Sequence, residues 1–326
     1  MRILLIAHQL DYSGAPIALV ELAGALIELG HGVHLVALNS GPVSREFSAL
    51  GVEPYRSARH AIDLVIANTV LTVPEALELA PSPESVLAWI HETAYFFRIL
   101  GVSARDFSLE RLRYAAFPAR FQLDEFAPWM PGAMRMQLRN CVRMPSDGLA
   151  APVHDHYVCS GPWEARKNQV RLLELVRELP VEPPICFVGA DLPAGMVPGM
   201  HRFPGTLPSH EAKRVIARSK GLISPSRAEA QPLAVIEAMI AARPVLLSDI
   251  AAHRELKQAV PDVILFDPDR SESFVRGFRA LEAQAADDAV RFRLRKDAMR
   301  HFGPESFFDN IRQVLRRLES GPPARH

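Results

Sequence analysis

The alternation of short apolar runs with longer helical patterns constrains this chain most. Apolar runs occupy residues 3–7, 34–37, 63–67 and 85–90, and the first is followed by a helical segment over 16–29. The second half repeats the pattern, with apolar runs at 156–160, 185–188, 221–224, 244–248 and 263–266 and a helical segment at 168–179. Strands that alternate with helices form βαβ units and parallel sheets. The sequence therefore predicts an α/β fold with two doubly wound parallel sheets.

The domain boundary is predicted near residue 150. The 326 residues suffice for about two domains. Apolar and polar residues alternate over 134–144, which indicates a strand, and a stretch rich in Pro, Gly, Ser and Asp follows at 145–153. We predict an N-terminal domain over 1–150, a second domain over 151–302 with a cleft between them, and a C-terminal helix over 303–326 that can pack back on the first domain.

Charge and cysteine content exclude several classes of protein. Acidic and basic residues balance at 37 each without a long basic run, so sequence-independent nucleic-acid binding has no electrostatic source. Three widely spaced cysteines argue against a disulfide framework or a zinc cluster. The first seven residues lack the features of a signal peptide, and no apolar run approaches the ~20 residues of a membrane span. We expect a cytoplasmic protein, with peripheral contact with the inner membrane face left open.

A single carboxylate interrupts an apolar helix predicted over 232–241. Glu237 is the only polar side chain of this run, and at 100° per residue it shares a side with Ala234, Ala238 and Ala241. Burying an ionised carboxylate costs several kcal/mol without partners, and the hydroxyls of a ribose are suitable donors. An exposed Glu237, or one paired with Arg243, is the alternative.

A second carboxylate, Glu229, lies eight residues earlier on the loop that enters this helix. Ala230 and Gln231 follow it at the helix N-terminus, where unpaired backbone N–H groups and the helix dipole attract phosphate. The pair of carboxylates thus flanks a predicted anion site.

These residues belong to a longer pattern that resembles the donor site of retaining GT-B glycosyltransferases of the family 4 type, the glycosyl transferases group 1. The matching residues are Ser226, Glu229, Pro232, Glu237-Ala238-Met239, Pro244-Val245, Ser248-Asp249 and Glu255. A glutamate pair alone is a weak signal, but the whole pattern is specific. The resemblance implies a GT-B fold, in which two Rossmann-like domains face a central cleft.

The resemblance also implies roles for individual residues. Glu237 holds the ribose hydroxyls, Glu229 lies against the transferred sugar, and the amides from Gln231 to Leu233 face the diphosphate. Backbone positions near Thr206 and Leu207 contribute to the base and sugar contacts. Ala230, directly after the first glutamate, also belongs to this nucleotide site.

In the family pattern, two cationic side chains stabilise the departing diphosphate. Lys167 matches the family's lysine, but Pro162 stands where an arginine is usual. Arg166 would therefore have to supply the second charge, because electrostatic stabilisation of a leaving group is often the largest catalytic contribution.

Several glycines of the family pattern are alanines here, at Ala230, Ala242 and Ala251-Ala252. Alanine tolerates a positive φ poorly, so we expect these turns to differ without disabling the site.

In the N-terminal half, the resemblance implies that Gly14 lets the backbone approach the diphosphate and that His91, followed by Glu92, lies near the donor sugar. An incidental loop histidine is the alternative for His91. Asn68-Thr69 follows another strand and fits the acceptor side, but a turn-forming role is favoured.

An acidic triplet and an aromatic cluster each allow two interpretations. Asp267-Pro268-Asp269 spells the motif of metal-dependent transferases, but N-capping of the following helix is favoured, and we predict no metal. Tyr95, Phe96 and Phe97 would touch a lipid-linked acceptor if exposed, whereas packing in the core is the commoner outcome.

The sequence thus predicts a metal-independent retaining glycosyltransferase. It would move a sugar from a UDP or GDP type donor to a glycan, a lipid-linked acceptor or a small molecule, with no cofactor and with oligomeric state open. No obvious covalent nucleophile is present, which favours the family's front-face substitution. A catalytically silent member that binds nucleotide sugar or glycan, and an epimerase or hydrolase on the same fold, are the alternatives. A dinucleotide oxidoreductase is disfavoured, since no GxGxxG follows the first strand.

Overall fold

The computed structural model describes residues 1–56, 61–144 and 153–321. The chain divides into two compact units: Met1–Cys141 together with the chain from Glu305 onwards, and Val142–Pro304. The boundary predicted at residue 150 lies outside the described residues.

The first unit is built on a seven-stranded parallel sheet with the order β3-β2-β1-β4-β5-β6-β7. Its strands are β1 (Arg2–Gln9), β2 (Gly32–Asn39), β3 (Glu53–Pro54), β4 (Leu64–Ala67), β5 (Val86–Trp89), β6 (Tyr114–Phe117) and β7 (Met134–Gln137). Its helices are α1 (Gly14–Glu28), α2 (Ser44–Ala49), α3 (Val73–Leu79), α4 (Ala94–Leu100) and α5 (Phe121–Glu125).

Strand β1 shows why this sheet forms. Its residues from Ile3 to Ala7 are wholly buried, as expected for a parallel strand with both faces covered. Helix α1 begins after Ser13 and is followed by Gly30 in the left-handed conformation, as the sequence predicts. Strands β3 and β6 were not predicted: β3 has only two residues, and β6 follows two short 3-10 turns rather than a long helix.

Strand β7 is shorter than predicted: it ends at Gln137 instead of continuing to residue 144. After Gln137 the side-chain amide of Asn310 bonds to the backbone in place of a neighbouring strand. Its Nδ2 donates to the Gln137 carbonyl and its Oδ1 accepts from the Arg139 backbone N–H, each at 2.9 Å. Trp89 donates to the Leu138 carbonyl at 2.9 Å. Side chains thus replace the ladder that alternation alone led us to expect.

The second unit has a six-stranded parallel sheet with the order β10-β9-β8-β11-β12-β13. Its strands are β8 (Tyr157–Ser160), β9 (Ile185–Val188), β10 (Arg202–Gly205), β11 (Gly221–Ser224), β12 (Val245–Ser248) and β13 (Ile264–Phe266). Its helices are α6 (Gln169–Arg177), α7 (Ser209–Ala217), α8 (Leu233–Ile240), α9 (Ala251–Ala259), α10 (Ser271–Ala286) and α11 (Asp288–Phe302), and α12 (Pro304–Glu319) returns the chain to the first unit.

The strand order of each unit creates a topological switch point. In the first unit β1 lies between β2 and β4, and in the second β8 lies between β9 and β11. Ligands of open α/β sheets bind at the carboxyl ends of the strands at such a point. The loops after β8 and β11 carry Lys167 and Glu229, so the fold places these two loops side by side.

Several alanines stand where the family pattern has glycine, and among the described ones only Ala242 has a left-handed conformation. Ala242 has φ 58°, whereas Ala251 opens helix α9 and Ala230 has no positive φ. The expectation that these turns differ is therefore wrong at Ala242, where the conformation suited to glycine is kept. Backbone bonds from Ala242 to Met239 and from Arg243 to Ala238 hold it there.

Candidate active site

Glu229 lies at the centre of a charged cluster in the second unit. Its side chain is 8% exposed; Oε1 accepts a hydrogen bond from Lys167 Nζ at 2.8 Å, and Oε2 accepts one from Arg166 Nη1 at 3.1 Å. Both cations come from the loop between β8 and α6, and Glu229 comes from the loop between β11 and α8. Neighbouring strands at the switch point thus deliver opposite charges to one place.

The charges decide the ionisation state of Glu229. Burial alone would raise its pKa, but the ammonium of Lys167 and the guanidinium of Arg166 outweigh burial and lower the pKa to about 2. Arg166 also contacts the half-exposed Glu164 through Nη2 at 2.5 Å. The two cations and the two carboxylates of this cluster therefore sum to zero formal charge.

Gly161 makes room for Lys167. It has φ 131°, and a Cβ placed on it would lie 2.6 Å from Lys167 Cε. The lysine side chain thus runs over the backbone at the end of β8. Pro162 follows, its carbonyl accepting from Gln169 Nε2 at 2.7 Å, so the second cation on Glu229 is Arg166 and does not come from position 162.

The loop that carries Glu229 is tied down on several sides. Asn168 Nδ2 donates to the Pro225 carbonyl at 3.1 Å, Ser248 Oγ donates to the Ser226 carbonyl at 2.5 Å, and the Arg227 backbone N–H donates to the Arg166 carbonyl at 2.8 Å. These bonds fix the backbone on both sides of Ser226 before the chain reaches Glu229.

The other residues predicted for the nucleotide lie around the start of α8. Glu237 is 7% exposed and Gln231 is 8% exposed, so both polar side chains are buried. Ala230 and Leu233 are half-buried, and Leu207 packs against the same core as the apolar residues of α8. The structure therefore brings Lys167, Arg166 and Glu229 into direct contact and gathers the remaining residues on adjoining elements.

The acidic triplet does not cap a helix as predicted. Arg270 occupies the N-cap position of α10, without a capping bond from its side chain. Asp267 instead accepts from the backbone N–H of Asp269, and Asp269 forms a two-pronged ion pair with Arg227 at 2.5 and 2.9 Å. These carboxylates therefore hold the turn before α10 and do not cap the helix.

In the first unit, Gly14 begins α1 at the carboxyl end of β1. Asp11 Oδ1 accepts from the backbone N–H of Ser13 at 3.1 Å and from its hydroxyl at 2.5 Å, which shapes the turn. Asn68, which follows β4, donates to the Ala15 carbonyl at 2.8 Å. The side chain of Asn68 thus connects the end of β4 to the first turn of α1, the helix that follows β1.

His91 follows β5 in the first unit. Its ring centroid lies 4.5 Å from that of Trp89, burial lowers its pKa to about 3, and its buried Nε2 has no partner among the described residues. Glu92 accepts from the Val70 backbone N–H at 3.2 Å, and burial raises its pKa to about 7. His91 is thus neutral at physiological pH, while Glu92 titrates there.

The aromatic cluster belongs largely to the core. Phe97 is buried, and its ring centroid lies 4.6 Å from Trp129 and 5.8 Å from Phe126. Phe96 packs edge-on against Phe97, and half-buried Tyr95 lies beside Arg98. Within the described ranges, no helix combines the length and apolarity needed to cross a bilayer.

Sequence reasoning missed His253, a wholly buried residue of α9 whose Nδ1 lies 2.8 Å from the Ser248 carbonyl. A single histidine on an amphipathic helix gives no sequence signal, and only its depth and its contacts mark it. In the parts of the chain that the structure describes, no group of three or more His, Cys, Asp or Glu side chains is arranged to hold a metal ion.

Two family models match the chain, one for each half. Residues 1–123 match the model described as Glycosyl-transferase family 4, and residues 156–284 match Glycosyl transferases group 1. The second match contains Lys167, Glu229 and Glu237. The chain belongs to the family 4, group 1 glycosyltransferases.

Solved structures of glycosyltransferases share the fold of this family member over nearly its whole length. Sucrose-phosphate synthase from Thermosynechococcus elongatus is 14% identical with a TM-score of 0.77, the alignment covering 98% of this chain and 99% of that one. HepE from Anabaena, in complex with UDP-glucose, is 14% identical with a TM-score of 0.78, covering 97% and 99%.

A third glycosyltransferase structure extends the comparison. An α-glucosyltransferase in complex with UDP and a 13-mer DNA containing a HMU base is 11% identical with a TM-score of 0.72, covering 97% of this chain and 100% of that one. At such identities the likeness shows the GT-B fold. No curated protein matches the sequence of this glycosyltransferase.

Proposed function

We propose that this family member is a retaining, metal-independent glycosyltransferase. Its second unit would bind a nucleotide-diphosphate sugar, and its first unit would bind a glycan, a lipid-linked acceptor or a small molecule. One observation carries the proposal: the buried carboxylate of Glu229 is held by Lys167 and Arg166 at the switch point of the second sheet. The domain limits proposed from the sequence are 1–150, 151–302 and a helix over 303–326.

The donor in this proposal is a UDP sugar, with a GDP sugar as the second choice. HepE, which has the same fold, was solved with UDP-glucose. Glu237 would accept hydrogen bonds from the ribose hydroxyls, because a buried carboxylate needs hydrogen-bond donors and hydroxyl groups supply them. The backbone N–H groups of Ala230, Gln231 and Leu233 would meet the diphosphate at the N-terminus of α8, whereas Pro232 has no N–H to donate. Leu207 would lie beside the base or the sugar.

The proposed reaction breaks the bond between the sugar's anomeric carbon and the diphosphate and forms one from the same carbon to the acceptor oxygen, on the same face. The acceptor's proton passes to the departing phosphate oxygen. Lys167 and Arg166 would neutralise the charge that develops there, and Glu229, ionised at neutral pH, would accept a hydrogen bond from a hydroxyl of the sugar.

The proposal also gives two residues of the first unit a role towards the donor. Gly14 would let the backbone approach the diphosphate, because glycine has no side chain. His91, whose Nε2 is buried without a partner among the described residues, would bind a hydroxyl of the transferred sugar. Neutral imidazole suits that role, as it both accepts and donates.

A panel of nucleotides and nucleotide sugars in a thermal-shift assay tests donor binding first. We expect UDP and a UDP sugar to raise the melting temperature more than ADP or NAD. The same panel on Glu237→Ala should show a loss of the nucleotide shift. A protein that responds to no nucleotide would overturn the proposal.

A transfer assay with the best donor tests the chemistry. Lys167→Ala should lower transfer by about 100-fold, whereas Lys220→Ala, at an exposed lysine paired with Asp155, should not. NMR of the product should show the anomeric configuration of the donor, and EDTA should leave the rate unchanged. Nucleotide-sugar binding without transfer to any acceptor would favour the catalytically silent alternative, to which Pro162 points.

A further inference from the structure

The second unit contains a histidine that the proposed chemistry does not use. His253 is wholly buried, and its Nδ1 lies 2.8 Å from the carbonyl oxygen of Ser248 and 3.2 Å from the hydroxyl of the same residue. A carbonyl oxygen only accepts, so Nδ1 must carry the hydrogen. Nε2 then carries a lone pair and can only accept; it is buried and has no partner among the described residues.

Ser248 connects this imidazole to the loop of Glu229. The serine hydroxyl donates to the carbonyl of Ser226 at 2.5 Å, so its oxygen remains free to accept from Nδ1. The hydroxyls of Ser224 and Ser226 are 3.1 Å apart, which ties the same turn to the end of β11. An unbroken series of hydrogen bonds therefore leads from α9 to the backbone three residues before Glu229.

His253 is also close enough to the charged cluster for Glu229 and Lys167 to affect its pKa. Burial lowers its pKa to about 4; the carboxylate of Glu229 opposes this shift, and the ammonium of Lys167 adds to it. The imidazole is therefore neutral at physiological pH. It adds no third cation to the pair that holds Glu229.

We propose that His253 is a positioning residue: through Nδ1 and the hydroxyl of Ser248, it fixes the loop that presents Glu229 to Lys167 and Arg166. Its effect on catalysis rests on the proposed function. Its effect on the geometry of Glu229 does not, because the hydrogen bonds involve only groups of this chain.

The two ring nitrogens allow the role to be separated from mere packing. Asparagine places an amide near Nδ1, and glutamine places one near Nε2. We therefore compare His253→Asn, His253→Gln and His253→Leu. His156→Leu serves as the matched control. His156 is also buried in the second unit with an Nε2 that has no partner among the described residues, but it lies before β8, at the end of the strand opposite the loop of Lys167, and its ring packs against His154.

Crystal structures of the unliganded proteins give the readout that is independent of activity. We expect the contact between Lys167 Nζ and Glu229 Oε1 to stay near 2.8 Å in the wild type, His253→Asn and His156→Leu. It should lengthen in His253→Gln and His253→Leu. An unchanged contact in both of the latter variants would overturn the proposal.

Kinetics supply the second readout. The Gln and Leu variants should lower kcat about 10- to 100-fold with little change in the donor KM, because misplacing a catalytic group by about 1 Å has effects of this size. His253→Asn should retain kcat within about threefold. Ser248→Ala should lower kcat as well, and adding His253→Leu to it should lower kcat little further, since linked residues are not additive.

The outcomes separate the two proposals. If the wild type transfers no sugar, the proposed function fails, and the crystal structures still decide the role of His253. If transfer is robust but His253→Asn is as slow as His253→Leu, Nδ1 does not act as proposed and the inference is wrong. Should His253→Leu not fold, His253→Gln and Ser248→Ala carry the same comparison.

Discussion

The ammonium nitrogen of Lys167 lies 2.8 Å from Oε1 of Glu229, and the two side chains are 15% and 8% exposed. The residues are 62 positions apart in the chain and come from loops after neighbouring strands. Each partner offsets the cost of burying the other. The pair is therefore part of the stability of the second unit as well as of the proposed chemistry.

Replacing Lys167 with methionine should destabilise the protein by about 1–3 kcal/mol. The carboxylate of Glu229 stays buried and keeps only Arg166 as its cationic partner, so the loss is smaller than for a pair broken completely. Urea unfolding at pH 7 measures it. The double variant Lys167→Met with Glu229→Gln should regain part of the loss, and a double variant less stable than Lys167→Met would contradict this account.

Gly161→Ala should move Lys167 away from Glu229. The new Cβ would lie 2.6 Å from Lys167 Cε at a backbone with φ 131°, so both the side chain and the backbone resist it. We expect a loss of stability of about 2–4 kcal/mol and a fall in transfer similar to that of Lys167→Ala. Gly195→Ala is the control, since φ is 80° there but nothing lies within 4 Å of the added carbon. Equal effects on transfer would contradict the steric argument.

Ala242→Gly should stabilise the second unit by about 0.5–1 kcal/mol, because relief of the left-handed strain exceeds the added entropy of the unfolded chain. Ala242 has φ 58° directly after the end of α8. Ala241→Gly, at φ −74°, should instead cost about 1 kcal/mol. Thermal unfolding of the two variants measures this opposite sign, and stabilisation by both would show that backbone strain is not the cause.

Glu92 should make stability depend on pH near neutrality. Its pKa is raised to about 7 in the folded state, so between the ordinary value of 4.5 and 7 the folded chain holds a proton that the unfolded chain releases. The free energy of unfolding therefore falls as pH rises through this window, by up to about 1.4 kcal/mol per pH unit. Glu92→Gln removes this contribution.

The measurement for Glu92 is the difference in unfolding free energy between Glu92→Gln and the wild type at pH 5, 6, 7 and 8. Taking the difference cancels the contributions of His91 and His253, which titrate in both proteins. The free energy of unfolding of Glu92→Gln relative to that of the wild type should rise from pH 5 to 7 and stay constant above pH 7. A difference that does not change with pH would show that Glu92 is ionised throughout.

Much of the fold was predictable because it depends on local patterns. The apolar runs at 185–188 and 221–224 coincide with β9 and β11, and the helical pattern at 168–179 contains α6. Prediction was wrong where side chains from distant positions replace local patterning. Asn310 binds the Gln137 carbonyl where β7 ends, although a longer strand was predicted. Arg227 forms an ion pair with Asp269, although helix capping was predicted for that carboxylate.

The sequence by itself determined the alternation of strands and helices, the buried helix with its single carboxylate, and the spacing of Glu229 and Glu237 that resembles the family's donor site. These depend on residues close in the chain, where periodicity and turn chemistry act. Only the tertiary structure decided that Arg166 and Lys167 share Glu229, that Gly161 makes room for the lysine and that His253 reaches the Glu229 loop through Ser248. Such contacts join residues far apart in the chain, and they exist only because the strand order brings β8, β11 and β12 together.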